Sequence, residues 1–298
     1  MAKIAAELQS ALAHRKEHGT PGRAAARMIA RGDGWTVADV VCTSGPQDRP
    51  FEERHTRYSI AIVVAGSFQY RSPLGSGLMT PGSLMLGNAG QCFECGHEHG
   101  EGDRCVAFWY APEYFERLAA DAGARGAGVR FEMPRLPALR LLSPLVARAG
   151  AGAAGSPGVP WEELGVRVAA CALRLGAGAS ADPCRLPPNA TARVTRTIRA
   201  IERHADAGLT LGWLAREAGL SPYHFLRTFE RLTGVTPHQY ILRARLREAA
   251  MRLVDDPGKV LDIAFDCGFG DVSNFNRAFR TEFGVNPSRY RASCDRPD

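Results

Sequence analysis

The chain has 298 residues, 45% hydrophobic and 23% charged, enough for two domains that each bury a core. No stretch approaches the roughly 18 uninterrupted apolar residues that a membrane-spanning helix requires, and eight cysteines over this length do not make a disulfide scaffold. The formal net charge of +6, almost all of it arginine, permits a polyanionic partner without establishing one.

The N-terminal segment MAKIAAELQSALAHRKEHG has a period-3.6 apolar pattern but no continuous apolar run and no small-residue cleavage site. It reads as an amphipathic helix and not a secretion signal, so a cytoplasmic, membrane-free protein is expected. Residues 27 to 110 are rich in strand signals. The β-branched run Tyr58–Val64, closed by Ala65-Gly66-Ser67 and followed by Phe68-Gln69-Tyr70, predicts a hairpin. Breakers at Pro73-Leu-Gly75, Pro81-Gly82 and Gly100-Glu-Gly102 separate further short apolar segments, which points to a sandwich or small barrel. From Pro112 the pattern turns helical, with candidates at Glu113–Ala120, Ala138–Ala149 and Trp161–Leu175. The glycine-rich break from Gly150 to Gly158 makes the last two an antiparallel helical hairpin, about 138–175. Residues 177–190, with three prolines and no periodic apolar set, predict a linker.

Beyond the linker the sequence repeats itself. Ala215, Gly219, Phe225, Arg227, Phe229, Gly234, Pro237 and Tyr240 recur in order as Ala264, Gly268, Phe275, Arg277, Phe279, Gly284, Pro287 and Tyr290. Each copy has the logic of a helix-turn-helix. An alanine lets the helices cross closely, a glycine caps the first helix, and Ser221 or Asp271 caps the second. Two phenylalanines four apart bury one face of that second helix and free the other for a major groove. Between the copies, His238–Val254 forms a long amphipathic helix that would hold the two units about 34 Å apart, one turn of DNA.

The segment from about Val194 to Arg291 closely resembles the DNA-binding domain of the AraC/XylS family of bacterial transcription regulators. The residues Ile263-Ala264, Gly268-Phe269, Asn274-Phe275, Phe283-Gly284 and Pro287-Ser-Arg-Tyr-Arg291 carry the resemblance. The β-rich half resembles, less closely, the cupin-like sensory domains joined to it. The fold expected is therefore α+β. A cupin-like β-barrel or sandwich with a helical hairpin spans 1–176, a linker 177–190, and an all-α domain of two helix-turn-helix units 191–298. The resemblance implies double-stranded promoter DNA as partner, an effector that is a small molecule or a metal, and a homodimer through the helical hairpin. It also implies DNA contacts at Tyr223, Leu226 and Arg227 in the first reading helix and at Val272, Ser273, Asn276 and Arg277 in the second. Arginine reads guanine and asparagine adenine in bidentate fashion, while Ser221, Thr228 and Arg280 are expected at phosphates.

The stretch Cys92-Phe-Glu-Cys-Gly-His-Glu-His-Gly-Glu-Gly-Asp-Arg-Cys105 is a second candidate site. If extended, it places Cys95, His97 and His99 on one face, with Cys105 returning beside them. That donor set suits zinc or another transition metal. His55 is a further contributor, and its position loosely resembles the split histidine motif of metal-binding cupins. A thiol switch, with Arg104 as the nearby cation, and a polar turn with incidental cysteines and histidines remain open beside the metal. Cys42, Cys171 and Cys267 sit in apolar runs as small core residues. No paired carboxylates, nucleophile with base, or phosphate-binding loop appears, so a regulator is expected. A cupin-type metalloenzyme and a constitutive DNA-binding protein without effector are the alternatives.

Overall fold

The computed structural model describes residues 3–122, 129–176 and 189–294. The expected linker lies outside these residues except for its last two. Helix α1 (Lys3–His18) leads into nine strands: β1 (Ala24–Gly32), β2 (Trp35–Cys42), β3 (Phe51–Arg54), β4 (Tyr58–Gly66), β5 (Phe68–Ser72), β6 (Gly75–Met79), β7 (Leu84–Gly87), β8 (Cys92–Gly96) and β9 (Asp103–Tyr110). Helix α2 (Pro112–Asp121), the short strand β10 (Arg135–Leu136), and helices α3 (Ser143–Ala153) and α4 (Trp161–Gly176) complete the N-terminal part. The strands form two antiparallel sheets, of order β1-β2-β9-β4-β7-β10 and β3-β8-β5-β6.

The larger sheet is covered on both faces, which explains why its central strands read as near-continuous apolar runs. Ile60, Ile62, Val106, Phe108 and Tyr110 point to one side and pack with Phe115, Leu145, Val146, Leu164 and Val168 of the helices. Their neighbours Ala61, Val63, Cys105 and Ala107 point to the other and pack on Phe68, Tyr70, Met79 and Cys95 of the smaller sheet. The period of two thus divides one strand between two cores. An ion pair lies among the apolar residues of the helix side. Arg104, fully buried in β9, donates to both carboxylate oxygens of Asp39 in β2 at 2.8 and 2.9 Å and to the Ala153 carbonyl that ends α3 at 3.0 Å. It also pairs with Glu7 of α1. Burial alone would raise the Asp39 carboxyl. The guanidiniums of Arg104 and Arg27 outweigh it and hold the group below its ordinary range.

Two expectations are corrected here. The run Tyr58–Tyr70 is not a hairpin: β4 pairs with β7 and β9, while β5 pairs with β6 and β8 in the other sheet. The chain changes sheets at Gly66, whose φ of +74° accompanies a backbone approach so close that a Cβ would lie 2.3 Å from the Gly102 carbonyl oxygen. The glycine-rich break also begins later than expected, because α3 continues through Gly150 and Gly152. Glycine is needed there for packing: a Cβ on Gly152 would meet the Trp161 ring at 2.4 Å.

The C-terminal part is all-helical: α5 (Ala190–Arg203), α6 (Leu211–Ala218), α7 (Pro222–Thr233), α8 (Pro237–Asp255), α9 (Val260–Asp266), α10 (Val272–Phe283) and α11 (Pro287–Cys294). Two cores match the two repeats. Leu214, Ala215, Phe225, Phe229 and Tyr240 share one with Val194, Ile198 and Ile201 of α5. Ile263, Ala264, Phe269, Phe275 and Phe279 share the other with Leu246, Ala249, Ala250 and Leu253 of α8. Each core also takes in a residue of the N-terminal part, Leu78 of β6 in the first and Ala147 of α3 in the second. The α3 arm of the helical hairpin, expected at a dimer interface, thus packs on α8 and α10 of its own chain.

Replacing Arg104 with leucine strands the Asp39 carboxylate without its buried partner. The expected loss is about 3–5 kcal/mol of unfolding free energy in urea, and a loss below about 1 kcal/mol would contradict the role given to this pair. His55, buried against Phe93 with its ring centroid 4.1 Å away, is pulled down to about 4 by burial. Its neutral form is the native one, so its contribution is complete above the ordinary value of 6.5 and is lost as pH falls from there through about 4. Of order 3 kcal/mol should disappear across that window, and a His55→Gln variant should show a correspondingly flatter stability profile.

Candidate nucleic-acid interface

Both reading helices are set by the local chemistry the repeat encodes. The Ser221 hydroxyl accepts from the His224 amide at 3.4 Å and begins α7, with Pro222 in its first turn. The Asp271 carboxylate accepts from the Ser273 and Asn274 amides at 2.8 and 3.2 Å and begins α10. Gly219 and Gly268 follow the preceding helices with φ of +63° and +85°, as expected of glycine C-caps. Phe225 and Phe229 in α7, like Phe275 and Phe279 in α10, are completely buried, which rolls the opposite side of each helix outward.

The outward side carries most of the expected DNA contacts. Ser221, Tyr223 and Arg227 are exposed on α7, and Leu226 and Thr228 are at its flanks, Leu226 half-buried and Thr228 partly covered beside it. The Arg227 guanidinium lies 5.8 Å from the centre of the Tyr223 ring and donates to its hydroxyl at 3.2 Å, so the two present one polar, aromatic surface. On α10, Ser273, Asn276 and Arg280 are exposed with Arg277 beside them, and Val272 is half-buried. Arg277 donates to the Asn274 side-chain oxygen Oδ1 at 3.3 Å. Asn276, Arg277 and Arg280 line an open cleft of about 740 Å³ with Thr281, Asn286, Ser288 and Arg140. Arg140 comes from the short 3-10 turn before α3 and donates to the Thr281 carbonyl at 3.1 Å. The repeat could not reveal Arg140, which lies some 140 residues away from its neighbours on α10. Asn274 is among the residues that carry the family resemblance, and the exposed face of α10 places it beside Arg277.

The two units are tied together by Arg245 of α8. It donates to the Ala205 and Ala207 carbonyls after α5 at 2.6 and 2.8 Å and to the Gly268 carbonyl in the second turn at 2.7 Å. At Gly268 the backbone of Asp206 comes so near that a Cβ would stand 2.6 Å from its Cα and carbonyl oxygen.

The expected metal residues are dispersed. Strand β8 ends at Gly96, and the chain then turns, with the Gly100 amide donating to the His97 carbonyl. The alternation assumed for Cys95, His97 and His99 therefore stops before His97. Cys95 is buried between the sheets, and His99 is a half-exposed neighbour of Glu98. The Cys105 thiol donates to Asp103 Oδ2 at 3.2 Å. His55 belongs to the Tyr70 and Phe93 side of the domain, with its Nε2 3.0 Å from the Tyr70 hydroxyl. Of these five residues only His97 joins a convergent group, formed with Cys42 and Asp103, two residues the sequence did not single out as ligands. Burial opposes protonation of His97, but its interactions with Asp103 and Cys42 outweigh this and push it up to about 9. The thiol switch also loses its cation, since Arg104 leaves β9 on the side opposite Cys105 and binds Asp39. Burial, and next the Asp103 carboxylate, raise the Cys95 and Cys105 thiols well above their ordinary range.

The close approach at Gly268 separates two otherwise similar glycines. Gly284 has a φ of +80° with open space around it, so Gly284→Ala carries only the backbone strain of about 1 kcal/mol. Gly268→Ala adds the clash with Asp206 and should cost at least twice as much in thermal or urea unfolding. Equal losses at the two positions would show that the contact is unimportant.

A family model described as a helix-turn-helix domain matches residues 214–293. The regulatory protein SoxS of Salmonella typhimurium is 36% identical over 94 residues, which make up 32% of this chain and 88% of SoxS. The probable transcriptional regulator LumQ of Photobacterium leiognathi is 35% identical over 91 residues, and the matched segment spans 30% of this chain and only 37% of LumQ. The C-terminal domain of AraT, a response regulator from Geobacillus stearothermophilus, aligns with 37% of this chain and 88% of its own at 27% identity, with a TM-score of 0.34. No described helix is long and apolar enough to cross a membrane. The chain belongs to the AraC/XylS family of DNA-binding transcription regulators.

Proposed function

We propose that this protein controls transcription by binding promoter DNA through α7 and α10 under the influence of a signal received in its β-domain. The observation that carries this reading is the pair of capped helices whose outward faces bring Arg227 and Arg277 to equivalent positions of the repeat. A helix seated in the major groove by such caps lets a guanidinium address both guanine acceptors. Arg280 and Arg140, at the edge of the same cleft, are suited to phosphates.

Several bonds between the two parts support transmission of a signal. Arg199 of α5 donates to the Glu101 carbonyl at 3.3 Å, Arg243 of α8 donates to the Ala138 carbonyl at 2.7 Å, and Ser143 of α3 bonds Glu282 of α10. A ligand that favours one arrangement of the β-domain would bias the reading helices through these bonds. A cytoplasmic location and a homodimer belong to the same reading. With α3 occupied by α8 and α10, the pairing would fall to α4.

In binding titrations against the DNA upstream of its own coding sequence, Arg227→Ala and Arg277→Ala should each weaken specific affinity by about 10- to 100-fold while affecting nonspecific binding less. Arg280→Ala should weaken specific and nonspecific DNA alike and flatten the salt dependence by roughly one counterion. Unchanged specific affinity in both Arg227→Ala and Arg277→Ala would refute the assignment of the reading face.

A further inference from the structure

Three side chains meet where the ends of β2, β8 and β9 converge. Cys42 is the last residue of β2 and stands directly opposite Asp103, the first of β9. His97 follows β8 by one residue. The Cys42 sulfur, a ring nitrogen of His97 and a carboxylate oxygen of Asp103 all lie within 4.8 Å of one another, and all three residues are buried. His97 Nε2 is 2.7 Å from Asp103 Oδ1, while its Nδ1 is buried with no hydrogen-bond partner. Proteins seldom leave a buried ring nitrogen unsatisfied.

We propose that Cys42, His97 and Asp103 bind a zinc-class divalent cation inside the β-domain. Sulfur, imidazole and carboxylate are a donor set that zinc accepts, whereas calcium and magnesium require oxygen donors throughout. One thiolate and one carboxylate also supply the two negative charges that neutralise a dication, so its entry leaves no net charge in the interior. On binding, the Cys42 thiol releases its proton to solvent, as does any proton on the coordinating nitrogen. Ligand atoms around a tetrahedral zinc at bonds of about 2.0–2.3 Å stand roughly 3.3–3.8 Å apart, so the present spacing needs adjustments of about an ångström or less. The fourth position is left to solvent, because the Cys105 thiol is engaged with the other oxygen of Asp103. This site is independent of whether DNA binding responds to it.

The test uses the full-length chain, reduced, stripped with chelator and reloaded with one metal at a time. Zinc is expected to remain at one equivalent per chain after gel filtration and to raise the Tm, with magnesium doing neither. The cobalt form should show a thiolate-to-metal charge-transfer band in the near ultraviolet. Cys42→Ser should abolish that band, and His97→Ala should weaken zinc by at least about tenfold. His99→Ala and Cys92→Ser should keep both stoichiometry and band. The proposal is overturned if zinc is not retained and Tm does not move, a readout that needs no variant to fold. It is equally overturned if the charge-transfer band survives Cys42→Ser in a folded protein, or if His99→Ala removes the metal.

Discussion

The arrangement of the whole molecule depends on three arginines that leave one helix in different directions. Helix α8, about 28 Å long by its 19 residues, carries Arg243, Arg245 and Arg247. Arg245 joins the segment that follows α5 to the turn of the second repeat. Arg247 pairs with Glu202 of α5, which also accepts from the Tyr240 hydroxyl at 2.9 Å. Arg243 reaches the Ala138 carbonyl on the β-domain side and Glu282 at the end of the second reading helix. Charge-assisted bonds of this kind are directional and are expensive to leave unmade in a half-buried setting. They therefore fix the relative placement of modules whose apolar contacts alone would permit sliding.

Arginine performs the same task inside the β-domain. Arg104 gathers a helix, a strand and a helix terminus around one guanidinium in an otherwise apolar layer. A lysine there offers no planar fork for the two oxygens of Asp39. Pairing removes the penalty of burying either charge by itself, although the pair need not be more stable than an apolar replacement of both residues. Its value lies in register. The two partners stand on paired strands β2 and β9, and a slip of one residue would turn Arg104 toward the smaller sheet and leave Asp39 to the exposed Arg27.

These braces leave the reading surface free of structural duty. The outward residues of α7 and α10 bond chiefly to neighbours within their own helices, as Arg227 does with Tyr223 and Arg277 with Asn274. Under the proposed function, those bonds would be exchanged for base edges without disturbing the core. The turn from His97 to Asp103 connects the buried Cys42 cluster to the Glu101 carbonyl that receives Arg199 of α5. The proposed cation site and the first helix of the DNA-binding part are thus separated by one short turn.

The sequence by itself determined the helix-turn-helix units, because their caps, glycines and phenylalanines act within a few residues of one another. Ser221 and Asp271 cap the helices that follow them whatever else the chain does, and a 3.6-residue period decides which face is buried. It also revealed the outward positions of Arg227, Asn276 and Arg277. Only tertiary structure decided what crosses between elements. That Tyr58–Tyr70 changes sheets instead of folding back depends on Gly66 meeting Gly102. That α3 extends through glycines depends on Trp161, and that Arg140 enters the cleft beside α10 depends on how the β-domain docks. The metal-ligating pattern failed for the same reason. A period of two predicts neighbours only while the strand lasts, and β8 ends at Gly96. His97 then meets Cys42 and Asp103 across strand ends that lie far apart in sequence, a proximity no local spacing encodes.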